Sequence, residues 1–135
     1  MDNIKKTIIE ELKYFKSEFI YIFGSFASGQ INSESDIDIA FYSFEKIEKY
    51  EVFQKAQEIS FKLKREIDLI DLKESSTVFQ NQVIEKGIVI FEKNSIEREK
   101  FELLVMKKYL ELNKLRKDLI DNYENDLDSF IDSLK

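Results

Sequence analysis

The chain contains no cysteine and no histidine. Without cysteine there are no disulfides and no thiolate chemistry, which fits a reducing cytoplasm, the expected location. Without histidine there is no Ser-His-Asp triad, no Cys-His pair and no His-ligated zinc site. The chemistry that remains must run on carboxylates, hydroxyls, amines and metal. Proline is also absent, so no residue forces a helix to break. Glycine occurs only at Gly24, Gly29 and Gly87, and each marks a candidate turn or stop. No apolar run approaches the roughly 20 residues of a membrane helix, and the start of the chain carries no signal-peptide pattern. Positive charge is in short supply: 21 Lys and Arg stand against 27 Asp and Glu, a net charge of −6. Phosphate backbones are held by Lys and Arg, so direct nucleic-acid binding and template-directed polymerisation are disfavoured.

What is present suits one folded domain. The 135 residues are 43% apolar, with 12 Phe and 6 Tyr, enough for a moderate core. The pattern is of mixed α/β (α+β) type, with a core over about residues 1–93 and a helical part over about 94–135. Residues 2–16 read as a helix with Ile4, Ile8, Leu12 and Phe15 on one stripe. Residues 19–23 and 36–42 read as strands, and a turn of helix fits residues 25–28, with Asn32 and Ser33 in the loop that follows. Residues 44–65 read as a second helix that buries Ile47, Tyr50, Phe53, Ala56, Ile59 and Leu63, with Lys55 on its solvated face. Residues 66–72 read as a strand, 75–86 as a helix capped by Ser75 or Ser76 and stopped at Gly87, and 87–91 as a last buried strand. From Asn94 the pattern is helical to the end, with a candidate break at residues 122–125. Its apolar stripe, from Phe101 through Leu112, Leu119 and Phe130 to Leu134, is wider than one core face needs, which points to a protein partner.

The residues that carry chemistry lie in one stretch, 24–40, which reads GSFASGQINSESDIDIA. Strand side chains alternate, so Asp36 and Asp38 share one face while Ile37 and Ile39 point the other way, toward a core. Two carboxylates side by side repel unless a cation lies between them. Hard divalent cations take oxygen ligands, commonly one or two carboxylates plus substrate phosphates. At the other end, Gly24 permits close backbone approach, Ser25 adds a hydroxyl and an amide, and turn amides bind anions. One end therefore suits phosphate, and the other suits a metal that bridges phosphate. Gly-Ser, ten residues, then Asp-x-Asp fixes four positions, which chance supplies in roughly one chain in a thousand of this length.

This spacing resembles the signature of the DNA polymerase β-like nucleotidyltransferase superfamily, and the layout is most similar to its minimal nucleotidyltransferase (MNT) branch. The resemblance covers residues 19–91 by motif and the remaining helices by length. It implies a nucleotidyltransferase fold, a small mixed β-sheet flanked by helices with a C-terminal helical extension. It implies that Gly24 and Ser25 bind the triphosphate, and that Asp36 and Asp38 carry two divalent metals, Mg²⁺ or Mn²⁺. A third carboxylate on a later strand completes such a site, and the matching position is Asp68. A slip of register would exchange it for Asp71. The branch includes antitoxins paired with HEPN-domain ribonuclease toxins. The implied reaction is transfer of AMP from ATP to a tyrosine hydroxyl of the toxin, which neutralises it by a two-metal mechanism. One departure stands in the loop: Ser28 occupies a position where many members have Arg. Two other readings remain open at this level: an antitoxin that acts by binding alone, and a nucleotidyltransferase for small molecules.

Overall fold

The computed structural model describes residues 2–29 and 36–134; the turn expected at Asn32 and Ser33 lies outside them. Helix α1 (Asp2–Leu12) and a 3-10 turn (Lys13–Phe15) lead into β1 (Ser17–Phe23). A single turn of helix, α2 (Gly24–Ala27), follows directly, and β2 (Ile37–Ser43) comes next. Helix α3 (Lys49–Leu63) crosses to β3 (Ile67–Asp71), which ends in a 3-10 turn (Leu72–Glu74). Helix α4 (Thr77–Lys86), strand β4 (Ile88–Glu92) and the long helix α5 (Ser95–Ser133) complete the chain.

The four strands form one mixed sheet in the order β3-β2-β1-β4. β1 is antiparallel to both β2 and β4, while β2 and β3 run parallel, joined by the α3 crossover that a parallel pair requires. Alternation along the strands divides the molecule into two cores. Ile20, Ile22, Ile37, Ile39, Phe41 and Leu69 face α1 and α3, where they meet Ile8, Leu12, Ala56 and Ile59. Phe19, Tyr21 and Ala40 face the other way, toward Val83 of α4 and Phe101 and Val105 of α5. Phe19 stacks on Tyr42 with ring centroids 4.8 Å apart, and Phe101 closes on Tyr42 at 4.9 Å.

The caps follow the sequence closely at α4. The Ser76 side chain accepts the Phe79 amide, and Gly87 ends the helix with its amide 2.7 Å from the Val83 carbonyl. Gly87 is extended rather than left-handed there, and a methyl group on it would overlap the Val83 carbonyl.

Four expectations are corrected. Helix α3 begins at Lys49, not at residue 44, because β2 runs on to Ser43, whose buried hydroxyl donates to the Phe15 carbonyl at 2.6 Å. Its inward stripe is Val52, Ala56, Ile59 and Leu63, so Tyr50 and Phe53 are turned out and are 63% and 65% exposed. Lys55 is buried rather than solvated: its Nζ donates to Glu11 at 3.1 Å and to Glu58 at 2.8 Å, and lies 4.6 Å from the centre of the Tyr14 ring. The fourth concerns α5, which runs unbroken through residues 122–125. With neither proline nor glycine in its 39 residues, nothing interrupts the backbone ladder. Among the described residues, no helix is long and apolar enough to cross a membrane.

Candidate active site

Strand β1, an inner strand, delivers Gly24 to one end of the sheet and turns it into α2. Gly24 has φ +74°, in the left-handed region that favours glycine. The turn closes when the Ser28 amide donates to the Gly24 carbonyl at 3.2 Å and the Ser28 hydroxyl donates to the Ser25 carbonyl at 2.9 Å. Phe26 plugs α2 into the core beneath, and the Arg65 guanidinium sits over its ring at 5.6 Å. Ser25 itself is exposed.

Register then places the acids. Phe23 pairs with Asp38 across β1 and β2, which sets Gly24 against the Asp38 carboxyl group. Asp38 in turn pairs with Asp68 in the parallel β2/β3 register. Gly24, Asp38 and Asp68 therefore lie on three adjacent strands at the same end of the sheet. Ile67 and Leu69 pack on the α3 side, so Asp68 shares its parity with Asp38. Asp36 stands exposed just before β2.

Asp38 carries the strain of this arrangement. Partial burial raises its pKa from the ordinary aspartate value, and the negative charges of Asp68 and then Asp36 raise it further. Asp71, which shares no side with this row, accepts the Lys73 amide at 3.1 Å and starts the 3-10 turn. Burial raises its pKa as well, against the lowering influence of that amide. Among the described residues, no three carboxyl groups converge into a ready-made cation cage. The donor set is nonetheless hard oxygen throughout, and the mutual repulsion recorded at Asp38 is what a divalent cation relieves.

Beyond β3, the outer strand of the described sheet, lies a cleft of about 530 Å³. Ile47, Val52, Phe53 and Ala56 form its apolar wall, and Asp68 and Asp71 border it. Sequence reasoning missed it. The one available signal was Phe53, which falls a residue off the stripe made by Val52, Ala56, Ile59 and Leu63.

Comparison with known proteins identifies the fold. Residues 5–96 match the family model described as "Polymerase beta, Nucleotidyltransferase". The chain is 31% identical over 107 residues to the protein adenylyltransferase MntA of Shewanella oneidensis, covering 79% of this chain and 76% of that protein. It is 29% identical over 130 residues to the protein adenylyltransferase MntA of Aphanizomenon flos-aquae, covering 87% and 84% of the two chains. Among solved structures it resembles a chain of a toxin–antitoxin crystal structure with AMP-PNP, with TM-score 0.79, 30% identity, and 87% and 96% of the two chains covered. It also resembles a chain of a tri-AMPylated Shewanella oneidensis HEPN toxin in complex with MNT antitoxin, with TM-score 0.76, 28% identity, and 90% and 96% covered.

Proposed function

Because the chain belongs to the polymerase β nucleotidyltransferase family, we propose that it is a protein adenylyltransferase that moves AMP from ATP onto a HEPN ribonuclease toxin and so neutralises it. The observation that carries this reading is the row of Gly24, just past the end of β1, with Asp38 and Asp68 on the next two strands, a glycine turn next to two register-paired carboxylates.

The turn amides at Gly24 and Ser25 take the β- and γ-phosphates. Asp36, Asp38 and Asp68 would hold two divalent cations, Mg²⁺ or Mn²⁺. Such ions neutralise the crowded oxygens and stabilise the entering and leaving groups of an in-line displacement. The acceptor, a tyrosine hydroxyl, attacks the α-phosphorus. Its O–P bond forms as the bond between the α-phosphorus and the bridging oxygen breaks, and pyrophosphate leaves with that electron pair. The phenolic proton passes to Asp68 or to water. In-line geometry sets the acceptor opposite the leaving group. If pyrophosphate sits at β1, the toxin's hydroxyl arrives from the β3 side, where the cleft beside Asp68 is open. No step calls for histidine.

The test is co-expression with the product of the neighbouring gene, the candidate toxin, followed by the intact mass of that partner. Wild type should add one or more AMP units, and Asp36→Asn/Asp38→Asn should add none. A toxin that is bound and silent yet unmodified would replace the enzyme with an antitoxin acting by contact. A toxin neither modified nor bound would point to a small-molecule acceptor.

A further inference from the structure

Helix α5 leaves the body of the protein early. Phe101 and Val105 are its buried residues, and from Asn113 to Leu134 every residue is exposed. Apolar residues continue along one side all the same. Leu112, Tyr123 and Leu134 are eleven residues apart, and so are Leu119 and Phe130. Eleven residues make three helical turns, so this stripe runs almost straight down the helix. Leu119, Tyr123 and Phe130 are 60%, 69% and 60% exposed. An apolar surface of this length in water marks an interface.

Two charges interrupt the stripe beyond Tyr109: Arg116 and Asp126. They have opposite sign, and among the described residues neither has an ion-pair partner within the chain. Their positions complete a pattern. About Asp121 the stripe from Leu112 to Phe130 is a mirror of itself: Leu112 mirrors Phe130, Leu115 mirrors Leu127, Arg116 mirrors Asp126, and Leu119 mirrors Tyr123, while Leu134 beyond it falls opposite Lys108. A sequence mirror is what an antiparallel two-fold pair brings face to face.

We propose that α5 is a dimerisation element through which two copies of this chain pair antiparallel, centred on Asp121. Leucine then meets aromatic or leucine in each apolar layer, and Arg116 of one copy meets Asp126 of the second, twice. A parallel pair would set Arg116 on Arg116 and Asp126 on Asp126, so the two charges select the orientation. The flanks agree. Residues 107–117 hold five basic residues and one acid, while residues 118–134 hold six acids and no base. Antiparallel pairing lays the basic half of each helix along the acidic half of the other. It also brings positive charge to a C-terminus whose last turn has no basic residue, where a lone helix dipole is poorly served. Leu103, Met106 and Leu110 lie on the other side of α5 and stay uncovered by this pairing.

The inference is independent of the proposed enzymatic activity, because its readout is mass. The full chain without toxin is run in sedimentation equilibrium across a micromolar concentration range. A dimer is expected, weakened at least about tenfold by Arg116→Asp or by Asp126→Arg, since like charges placed opposite each other are repulsive. The double variant Arg116→Asp/Asp126→Arg exchanges the charges and should restore the dimer. Circular dichroism confirms that each variant stays helical. A monomer at every concentration overturns the proposal, as does a dimer that neither reversal weakens or that the double reversal fails to restore. Protection of α5 from hydrogen exchange only after toxin is added would assign the surface to the toxin instead.

Discussion

The α-carbon of Gly24 lies directly against the carboxyl group of Asp38. A methyl group there would overlap Asp38 Oδ2 and come within 3.1 Å of its Cγ. With the left-handed backbone at φ +74°, glycine is required twice over. Gly24→Ala should displace the carboxylate and cut AMP transfer by at least about 100-fold, the scale of a misplacement near 1 Å. The backbone strain should cost about 1–3 kcal/mol. Single-turnover transfer and urea denaturation measure the two effects, and an alanine variant of normal rate would remove Asp38 from the chemistry.

The three strand carboxylates should separate by substitution to asparagine. Asp38→Asn and Asp68→Asn should each lower transfer by at least about 1000-fold, the scale of several kcal/mol of lost charge stabilisation. Asp38→Asn should also hold or raise the melting temperature, since burial and its acidic neighbours penalise the charged form. Asp71→Asn should leave both transfer and the turn near wild type, since asparagine caps as well as aspartate, whereas Asp71→Ala should weaken the turn by about 0.5–2 kcal/mol. Loss of activity at Asp71 with none at Asp68 would reverse the assignment.

Phe53 should act on the acceptor and not on the nucleotide. Phe53→Ala removes apolar wall from the cleft beside Asp68. The loss of about 1–2 kcal/mol of burial corresponds to roughly a tenfold rise in the KM for toxin. The KM for ATP should stay unchanged, and a rise in it alone would place the nucleotide base in the cleft.

Glu11 sets a pH dependence in the α1/α3 seam. Its hydrogen bond from Lys62 lowers its pKa from the ordinary 4.5, burial opposes this, and the bond from Lys55 lowers it again. A carboxylate with a lowered folded-state pKa contributes stability that is present above about pH 4.5 and is lost as pH falls through the lowered value. Glu11→Gln should therefore destabilise at pH 7 by about 1–3 kcal/mol, and the gap should close in acid. Urea midpoints of the two proteins that differ equally at pH 7 and pH 3 would refute the linkage.

Tyr21 ties the sheet to α5. Its hydroxyl donates to Glu102 at 2.5 Å, and Arg98 donates to the same oxygen at 2.9 Å. Burial first, and the hydrogen bond to Glu102 second, push the phenol pKa up. Tyr21→Phe should cost about 1–3 kcal/mol and loosen the first turns of α5. Hydrogen exchange over residues 98–105 tests this, and unchanged protection there would count against it.

Local chemistry alone determined a good deal of this protein. The two-residue period of a strand put Asp36 and Asp38 on one face and Ile37 and Ile39 on the other, whatever the rest of the chain does. A serine cap at residue 75 or 76, the Gly87 stop and the strand ending at Gly24 were likewise readable, because each depends on a few neighbouring residues. Tertiary structure decided the remainder. The α3 crossover makes β3 the parallel neighbour of β2, and that register sets Asp68 beside Asp38 while Asp71 turns to the Lys73 amide. Alternation in the β3 sequence favours Asp68, which lies between core-facing Ile67 and Leu69, but only the neighbouring strand fixes the register. Phe53 and Lys55 defeated sequence reasoning for a related reason. A phenylalanine reads as core and a lysine as surface, yet α1 offers Lys55 a buried carboxylate, and the Val52 stripe fills the space that Phe53 would need. Helix α5 reads as helix in either case, and only the absence of a packing surface past Val105 leaves its apolar side in water.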